Sequence, residues 1–335
     1  MISFEFPSKV PLAQIPTPMH RLERISEELN ADIWIKRDDL TGSVMTGNKV
    51  RKLEYTIGRA IEEGADTLIT CGGLQSNHCR ATAAAGAQLG LDVNLLLRGP
   101  LEAMADGNLL LDGLFGAEVD IINGKANHAR LPELMEAKAR ELRAKGKSPF
   151  TIPIGASDGI GIWGYISAAS EMAADFSVHG FTPDFIVCAS GSGGTQAGLT
   201  VGCEAQNIGS QVLGFAVCDD EDYFQSKIRE DLGLWQSLYD IDGDLDQLSI
   251  QVNDSYIGPG YAKAGPEIFE CIQWLARLEG VVLDPVYTGK AFYGLVSEIR
   301  NGALGQNPKI LFVHTGGLFG IYPYRDKFSI KVNNS

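Results

Sequence analysis

The sequence predicts an α/β protein of two domains, built on mostly parallel twisted sheets with flanking helices. β-rich runs alternate with helical patterns along nearly the whole chain, as they do in βαβ units. Runs such as Phe185–Ala189 and Ile310–Val313 are continuously apolar, which a strand covered on both faces requires. The chain has 335 residues, and this length accommodates two cores because single domains usually have roughly 100–200 residues.

Eight strands are predicted in chain order: Asp32–Lys36, Asp66–Cys71, Asp92–Leu97, Glu118–Ile122, Phe150–Ile154, Asp184–Ala189, Gln211–Val217 and Lys309–Val313. Apolar residues at helical spacing predict helices between them. The predicted helices are Lys49–Glu63, Ser76–Leu89, Ala126–Lys145, Trp163–Phe176 and Thr195–Ala205. Ligands bind beyond the carboxyl ends of parallel strands. We therefore expect a site built from the loops Gly72–Arg80, Ser190–Thr195 and His314–Gly320.

The composition disfavours several classes of protein. With 42 acidic and 28 basic side chains the formal charge is −14, which disfavours binding to nucleic acid or to anionic membrane surfaces. The six cysteines form no CxxC pair, a pattern typical of buried reduced thiols. The sequence has no secretory signal and no run of 18 apolar residues, so we expect a soluble cytoplasmic protein. The histidines and carboxylates lack metal-ligand spacing, and no metal is expected.

A glycine-rich loop follows one predicted strand and precedes a helix. Its residues are Ser190, Gly191, Ser192, Gly193, Gly194 and Thr195. Glycines let consecutive N–H groups converge on an anion, and the positive end of the helix dipole favours negative charge there. The loop therefore predicts a phosphate site, with a tight turn that binds nothing as the alternative. The dinucleotide pattern G-x-G-x-x-G is not matched in full, which weakens a nicotinamide interpretation.

Lys49 follows Gly47 and Asn48 at the start of a predicted helix. A lysine that forms a Schiff base needs a fixed position and a lowered pKa, and a cleft can provide both. Together with the phosphate loop, Lys49 predicts a site for pyridoxal 5'-phosphate. The alternative is a solvated lysine on an amphipathic helix, and Lys36 and Lys52 are nearby competitors for the role.

The loop Gly72–Arg80 offers four consecutive polar side chains at a predicted helix start. They are Gln75, Ser76, Asn77 and His78. Ser76 or Asn77 is a natural helix cap, and the N–H groups beside it can bind a carboxylate. Capping alone requires one such residue, whereas this loop supplies four. We therefore expect the loop to bind substrate, with a simple helix cap as the alternative.

Two tyrosines and a threonine complete the candidate site. Tyr287 stands just before a predicted helix, where it could donate a proton or orient a cofactor ring, and packing of a buried tyrosine is the alternative. Tyr261, in a glycine-rich segment, is a similar but less specific candidate. Thr315 follows the last predicted strand, where its hydroxyl could meet a pyridine nitrogen; a plain glycine turn is the alternative there.

In this order the motifs resemble the pyridoxal-phosphate enzymes of the tryptophan-synthase-β-like fold, also called fold type II. They are most similar to the family of 1-aminocyclopropane-1-carboxylate deaminase and D-cysteine desulfhydrase. The resemblance runs from Pro16-Thr-Pro18 through Ile35-Lys-Arg-Asp-Asp39 to His314-Thr-Gly-Gly317. It implies a homodimer, and a small α/β domain of residues 52–160 inserted into a large cofactor-binding domain of residues 1–51 and 161–335.

The resemblance also implies roles for individual residues. Lys49 would carry the cofactor, Asn48 would contact its ring hydroxyl, and residues 190–195 would bind its phosphate. Ser76 and Asn77 would bind the substrate carboxylate, with Ser76 also a candidate for proton transfer. Two tyrosines would meet the reacting face of the cofactor, namely Tyr261 and Tyr287.

Thr288 bears on the reaction, because ring-opening deaminases typically have glutamate at this position. A carboxylate at the pyridine nitrogen makes the ring a strong electron sink. A hydroxyl from Thr288 or Thr315 makes a weaker one, which suffices when a good β leaving group departs. Desulfhydrases share Tyr-Thr-Gly-Lys and Gln-Ser-Asn-His with this chain. The chain departs from them at Ala262–Pro266 and at Gly155–Gly159.

The resemblance therefore implies β-elimination from a small amino acid. Lys49 or Ser76 would remove the α-proton, and the products would include pyruvate and ammonia. D-cysteine, which releases sulfide, is the expected substrate, and L-cysteate, which releases sulfite, is the alternative. Opening of a cyclopropane ring is less expected because of Thr288. A non-catalytic binding protein and a nicotinamide oxidoreductase are the alternatives from other classes.

Overall fold

The computed structural model describes residue 2 and residues 4–124 and 129–329. In these ranges the β-strands are β1 (Met19–Arg21), β2 (Asp32–Lys36), β3 (Thr67–Gly73), β4 (Asp92–Arg98), β5 (Glu118–Ile122), β6 (Pro149–Thr151), β7 (Phe185–Ser190), β8 (Gln211–Ala216), β9 (Gln251–Asn253) and β10 (Lys309–Val313). The α-helices are α1 (Glu23–Leu29), α2 (Asn48–Glu62), α3 (Asn77–Leu89), α4 (Gly107–Leu114), α5 (Leu131–Ala144), α6 (Trp163–His179), α7 (Gly194–Ala205), α8 (Glu221–Tyr239), α9 (Pro266–Glu279) and α10 (Thr288–Arg300).

The strands form two separate sheets. The larger has the order β1-β2-β10-β7-β8-β9, and its neighbours are parallel except for the antiparallel pair β1 and β2. The smaller has the order β5-β4-β3-β6 and is parallel throughout. Helices connect successive parallel strands in both sheets. The predicted α/β architecture with mostly parallel sheets is confirmed.

The predicted elements occur in the predicted order, with some shifted ends. β2, β5 and β10 have the bounds that the sequence predicts. The strand predicted for Phe150–Ile154 instead ends at Thr151, because Pro153 has no N–H to donate and residues 154–156 form a 3₁₀ turn. The helix predicted for residues 126–145 is described from Leu131 to Ala144, and residues 126–128 lie outside the described residues. The short strands β1 and β9 and the helices α1, α4, α8 and α9 were not predicted, whereas α10 begins at Thr288, directly after Tyr287, where a helix was expected.

Both sheets are covered on both faces, as continuous apolar strands require. Side chains of α1, α9 and α10 pack on one face of the larger sheet, where Phe292 and Phe312 are fully buried. Helices α6 and α7 cover the other face. The smaller sheet packs against α2 and α3 on one side and against α5 on the other. The carboxyl ends of β3, β4, β7 and β10 are left to line a cleft.

The two sheets match the predicted division of the chain only approximately. Every strand of the smaller sheet lies between residues 67 and 151, and the strands of the larger sheet come from both sides of that segment. Helix α2, however, spans Asn48–Glu62 and so crosses the predicted boundary at residue 51. It packs against α3 and also against α6. The domain limits of 1–51, 52–160 and 161–335 stay a prediction.

A buried ionic network ties α2 to the larger sheet and to α6. Arg51 on α2 donates two hydrogen bonds to Asp38, at 2.8 and 2.9 Å, and two to Glu171 on α6, at 2.9 and 3.0 Å. Lys36 on β2 also contacts Glu171, at 2.6 Å. Burial raises the pKa of Glu171, but the charges of Arg51 and Lys36 outweigh burial and lower it to about 2. Close packing reinforces the network, because a Cβ on Gly164 of α6 would lie 2.5 Å from the Arg51 backbone.

None of the helices in the described part of the chain has the length and apolar character needed to cross a membrane. All six cysteines are free, and all but Cys218 are buried.

The network predicts that Arg51→Met destabilises the fold by about 3–5 kcal/mol, because it leaves the buried Asp38 carboxylate without its cation. Arg59→Met on the same helix is the matched control. Arg59 is 49% exposed whereas Arg51 is 2% exposed, and an exposed ion pair contributes at most about 1 kcal/mol. Urea unfolding followed by circular dichroism measures both. Equal shifts of the two midpoints would contradict the role assigned to the network.

Candidate active site

A cavity of about 350 Å³ lies in the cleft between the two sheets. It is lined from the smaller sheet by the start of α3 and from the larger sheet by the loops that follow β7 and β10. The predicted site residues that line it are Asn48, Lys49, Ser76, Asn77, His78, Ser190, Gly191, Ser192, Gly193, Thr195, Tyr261, Tyr287 and Thr315. The structure thus brings together residues that are up to about 270 positions apart in the chain, from Asn48 to Thr315.

Three predicted site residues lie beside the cavity and not on its wall. Gln75 uses its side chain to fasten α4, donating to the carbonyl of Asp106 and accepting from the N–H of Asn108. Gly194 begins α7 behind the phosphate loop. The hydroxyl of Thr288 donates to a carboxylate oxygen of Asp284 at 2.7 Å and accepts from the Asp284 N–H. The expected contacts of Gln75 with substrate and of Thr288 with the cofactor therefore have no support in this arrangement.

Lys49 is held by a sharp turn against the end of β10. Gly47 has φ +98°, and a Cβ on it would lie 2.8 Å from the carbonyl oxygen of Thr315, so glycine is required there. The Asn48 N–H donates to that same carbonyl at 3.1 Å. The Asn48 side chain donates to the Thr195 hydroxyl at 2.9 Å, which joins the lysine turn to the phosphate loop. These contacts fix the direction in which Lys49 leaves the helix.

Burial lowers the pKa of the Lys49 amine to about 8, and the opposing charge of Asp284 only partly offsets this effect. The desolvated cleft therefore raises the fraction of neutral amine, the form that acts as a nucleophile or a general base, well above that of an exposed lysine. The amine lies in the cavity wall with the glycine loop. Of the competing lysines, Lys36 is committed to the ionic network described above.

The second competitor, Lys52, lies behind the phosphate loop and was not expected there. Its amine is fully buried and donates to the Ser157 hydroxyl at 2.7 Å. Ser157 in turn shares a 2.7 Å hydrogen bond with Ser192 and accepts from the Gly194 N–H. Burial, then the charge of Lys49, lowers the pKa of Lys52 well below its ordinary value. Sequence alone gave no signal for Ser157, which lies 105 residues from Lys52.

This arrangement fits a bound phosphate. The buried Lys52 amine, two hydroxyls and the N-terminus of α7 converge on the loop, and each of these groups can donate a hydrogen bond to an anion. A Cβ on Gly194 would lie 2.7 Å from the Lys52 amine, so there is no room for a side chain at this position of the loop. A phosphate ester of modest size, attached to a ring that reaches Lys49, matches this set of donors.

The start of α3 presents N–H groups to the cavity. Ser76 caps the helix by accepting from the Cys79 N–H at 3.1 Å. Gly72 must lack a side chain, because a Cβ there would lie 2.6 Å from Ser76. Asn77 accepts from the Asn108 side chain at 3.0 Å, which orients it. The positive end of α3 is therefore available for a carboxylate.

His78 faces the Thr70 hydroxyl at 2.8 Å. Burial, then the charges of Lys49 and Lys52, lowers its pKa well below the ordinary value. The imidazole is thus neutral at physiological pH.

Tyr261 and Tyr287 share a hydrogen bond of 2.6 Å between their hydroxyls. Burial raises the pKa of both phenols, so both are protonated at neutral pH. The ring of Tyr287 lies against the phosphate loop, since a Cβ on Gly191 would lie 2.8 Å from it. The Arg98 guanidinium lies over the ring of Tyr261, 5.5 Å from its centroid, and also lines the cavity. The sequence gave no reason to single out Arg98.

Among the described residues no group of His, Cys, Asp and Glu side chains could hold a metal ion. The polar groups around the glycine loop are instead an amine, hydroxyls and backbone N–H groups, which suit a phosphorylated organic cofactor.

Residues 10–316 match the model of the family described as pyridoxal-phosphate dependent enzyme. The chain belongs to this family. Its cofactor is pyridoxal 5'-phosphate.

The chain is 41% identical to a bifunctional D-cysteine desulfhydrase/1-aminocyclopropane-1-carboxylate deaminase of Arabidopsis thaliana, over 96% of this chain and 81% of the relative. It is 38% identical to a D-cysteine desulfhydrase of Klebsiella pneumoniae, over 94% of this chain and 96% of the relative. A solved crystal structure of an ACC deaminase homologue is similar with a TM-score of 0.88 and 41% identity, covering 96% of this chain and 95% of that one. The fold and the family expected from the sequence are confirmed.

The crowding at Gly194 predicts that Gly194→Ala weakens cofactor binding. The added methyl displaces the Lys52 amine or the Ser157 hydroxyl, and such overpacking costs about 1–3 kcal/mol, or about 5- to 150-fold in Kd. Gly233→Ala in α8 is the control, because a Cβ there has no atom within 4 Å. Absorbance titration of cofactor-free protein with pyridoxal phosphate measures both. Equal affinities for the two variants would contradict the assignment of the loop.

Proposed function

We propose that this enzyme eliminates the β substituent of a small sulfur-containing amino acid, with D-cysteine as the first substrate and pyruvate, ammonia and sulfide as products. The observation that carries the proposal is the buried Lys49 amine, whose pKa of about 8 lies in the working range of a general base. The relative named D-cysteine desulfhydrase supports the choice of substrate. By resemblance, we also propose that the enzyme works as a homodimer.

Four groups of residues would hold the cofactor. Lys49 is the residue to which we assign its covalent attachment. The N–H groups and hydroxyls of residues 190–195, with Lys52 behind them, would hold the phosphate. Asn48 is fixed by Thr195 beside the ring position. Thr315, whose hydroxyl belongs to the cavity wall, would meet the pyridine nitrogen.

When bound, the cofactor withdraws electrons from the α-carbon of an amino acid joined to it. The protein residues supply the rest. The N-terminus of α3 with Ser76 and Asn77 binds the substrate carboxylate and so orients the α-carbon. The Lys49 amine accepts the α-proton, and Ser76 is the alternative acceptor. The paired phenols of Tyr261 and Tyr287 hold a proton that can pass to the departing sulfur. One water then hydrolyses the three-carbon enamine that is released, which gives pyruvate and ammonia.

Elimination is favoured over ring opening because of the residues near the expected pyridine nitrogen. Thr315 offers a hydroxyl there, and Thr288 is bound to Asp284. With a neutral hydroxyl at the pyridine nitrogen, the ring is only a moderate electron sink. A moderate sink is sufficient when the substrate has a good leaving group. Ring opening remains the second candidate, because the Arabidopsis relative is named for both activities.

Borohydride reduction followed by peptide mapping tests the assignment of Lys49. We expect the label on Lys49 and none on Lys52, although only three positions separate them. Lys49→Ala should lose the label, the visible absorbance and turnover together. Lys52→Met is the matched control and should keep the label on Lys49 while retaining cofactor less tightly. A label on Lys52, or turnover by Lys49→Ala, would refute the assignment.

A substrate panel tests the reaction. D-cysteine, L-cysteine, L-cysteate and 1-aminocyclopropane-1-carboxylate are each incubated with the holoenzyme, and pyruvate, sulfide, sulfite and the four-carbon keto acid from ring opening are measured. We expect pyruvate and sulfide in equal amounts from D-cysteine, with the highest kcat/KM. A higher kcat/KM with the cyclopropane substrate would overturn the proposal in favour of the deaminase, and sulfite release from L-cysteate would favour the sulfonate alternative.

A further inference from the structure

The amine of Lys290 lies among backbone carbonyls. It donates to the carbonyl oxygens of Ile257 at 2.7 Å, Gly260 at 2.8 Å and Val217 at 3.2 Å. The residue is 1% exposed. In the described part of the chain, carbonyl oxygens are its hydrogen-bond partners and no carboxylate forms an ion pair with it. A lysine buried without a carboxylate is unusual, because burial of an unpaired charge is costly.

The three carbonyls belong to segments that form the active-site wall. Ile257 and Gly260 flank the turn that leads into Tyr261. Val217 follows β8, and its N–H donates to the carbonyl of Ser190 at the start of the phosphate loop. Lys290 itself lies on α10, three residues after Tyr287. One amine on the helix that follows Tyr287 therefore bonds to the turn before Tyr261 and to Val217, the residue that holds the start of the phosphate loop.

Only the protonated amine satisfies all three carbonyls, since an ammonium group has three donors and a neutral amine has two. Burial lowers the pKa of Lys290 to about 8, although the charge of Asp284 acts against that effect. Several carbonyl oxygens around one positive centre are also the environment that selects K⁺ in proteins. The Lys290 ammonium thus occupies a position suited to a small monovalent cation.

We propose that Lys290 is a positioning residue that acts as a tethered monovalent cation, holding the Tyr261 loop so that the Tyr261 and Tyr287 hydroxyls meet. Removal of its side chain leaves a carbonyl-lined site that ammonium or potassium ions can fill. In the parent protein the Lys290 ammonium already fills this site, so neither ion is needed to hold the loop. This inference rests on the proposed elimination for its kinetic readout, whereas hydrogen exchange gives a second readout that is independent of the reaction.

The kinetic test compares Lys290→Ala, Lys290→Met, Lys290→Arg and the parent holoenzyme. Lys263→Met is the matched control, because Lys263 is an exposed lysine on the same loop. We expect Lys290→Ala and Lys290→Met to lower kcat by about 10- to 100-fold, the effect of a displacement of about 1 Å in a catalytic group. Lys290→Arg should lose less, and Lys263→Met should match the parent.

Added salts separate a cation site from a general loss of packing. Ammonium or potassium chloride should restore most of the lost kcat of Lys290→Ala and leave the parent unchanged. Lys290→Met should not respond, because its side chain fills the space. Tetramethylammonium chloride at equal ionic strength should fail, because that cation is too large and has no N–H donor. Equal effects of the three salts on Lys290→Ala would overturn the proposal.

Hydrogen exchange of the cofactor-free protein, followed by mass spectrometry, gives a readout that needs no substrate. Residues 255–263 should exchange faster in Lys290→Ala than in the parent, and ammonium chloride should restore slow exchange. Unchanged exchange in this segment would refute the positioning role even if the substrate assignment is right. If the loop responds as expected and D-cysteine is not turned over, the proposed function fails and the inference stands. Lys290→Arg provides the same comparison if Lys290→Ala does not fold.

Discussion

The close approach of two glycine-containing turns determines the geometry of the site. Gly47 and Gly316 lie so near each other that a Cβ on Gly316 would be 2.8 Å from the Gly47 Cα. The Asn48 N–H then reaches the Thr315 carbonyl, which joins the start of α2 to the end of β10. Because Lys49 and Thr315 are fixed by the same contact, the amine and the candidate ring partner keep a constant separation. The phosphate loop joins this unit through the hydrogen bond from Asn48 to Thr195.

Electrostatics at this unit follow from the burial of amines without matching carboxylates. Lys49, Lys52 and Lys290 each have a lowered pKa, and desolvation is the largest cause for all three. Their partners differ, and so do their uses. Lys49 faces open cavity, Lys52 meets hydroxyls beside an anion site, and Lys290 meets carbonyls. A bound phosphate would compensate the charge of Lys52, whereas backbone dipoles compensate that of Lys290. Only Lys49 is left to react.

Much of the fold could be predicted because it depends on local patterns. Continuous apolar strands and glycine loops located the parallel sheets and most of the cavity wall. The short strands β1 and β9 were not predicted because three residues are too few to show a periodicity. Thr288 was a plausible cofactor contact until its hydroxyl was found bound to Asp284. Ser157 and Arg98 could not be anticipated, since their importance comes from neighbours far away in sequence.

The ionic network around Arg51 anchors the first turn of α2 in the larger sheet. Helix α2 packs on both sheets, and its buried charges bind it to β2 and α6, which belong with the larger sheet. Arg51 and Lys49 are two residues apart at the start of this helix. The ion pairs that neutralise Asp38 therefore also fix the backbone from which the Lys49 amine extends, so fold stability and the geometry of the candidate site depend on the same few contacts.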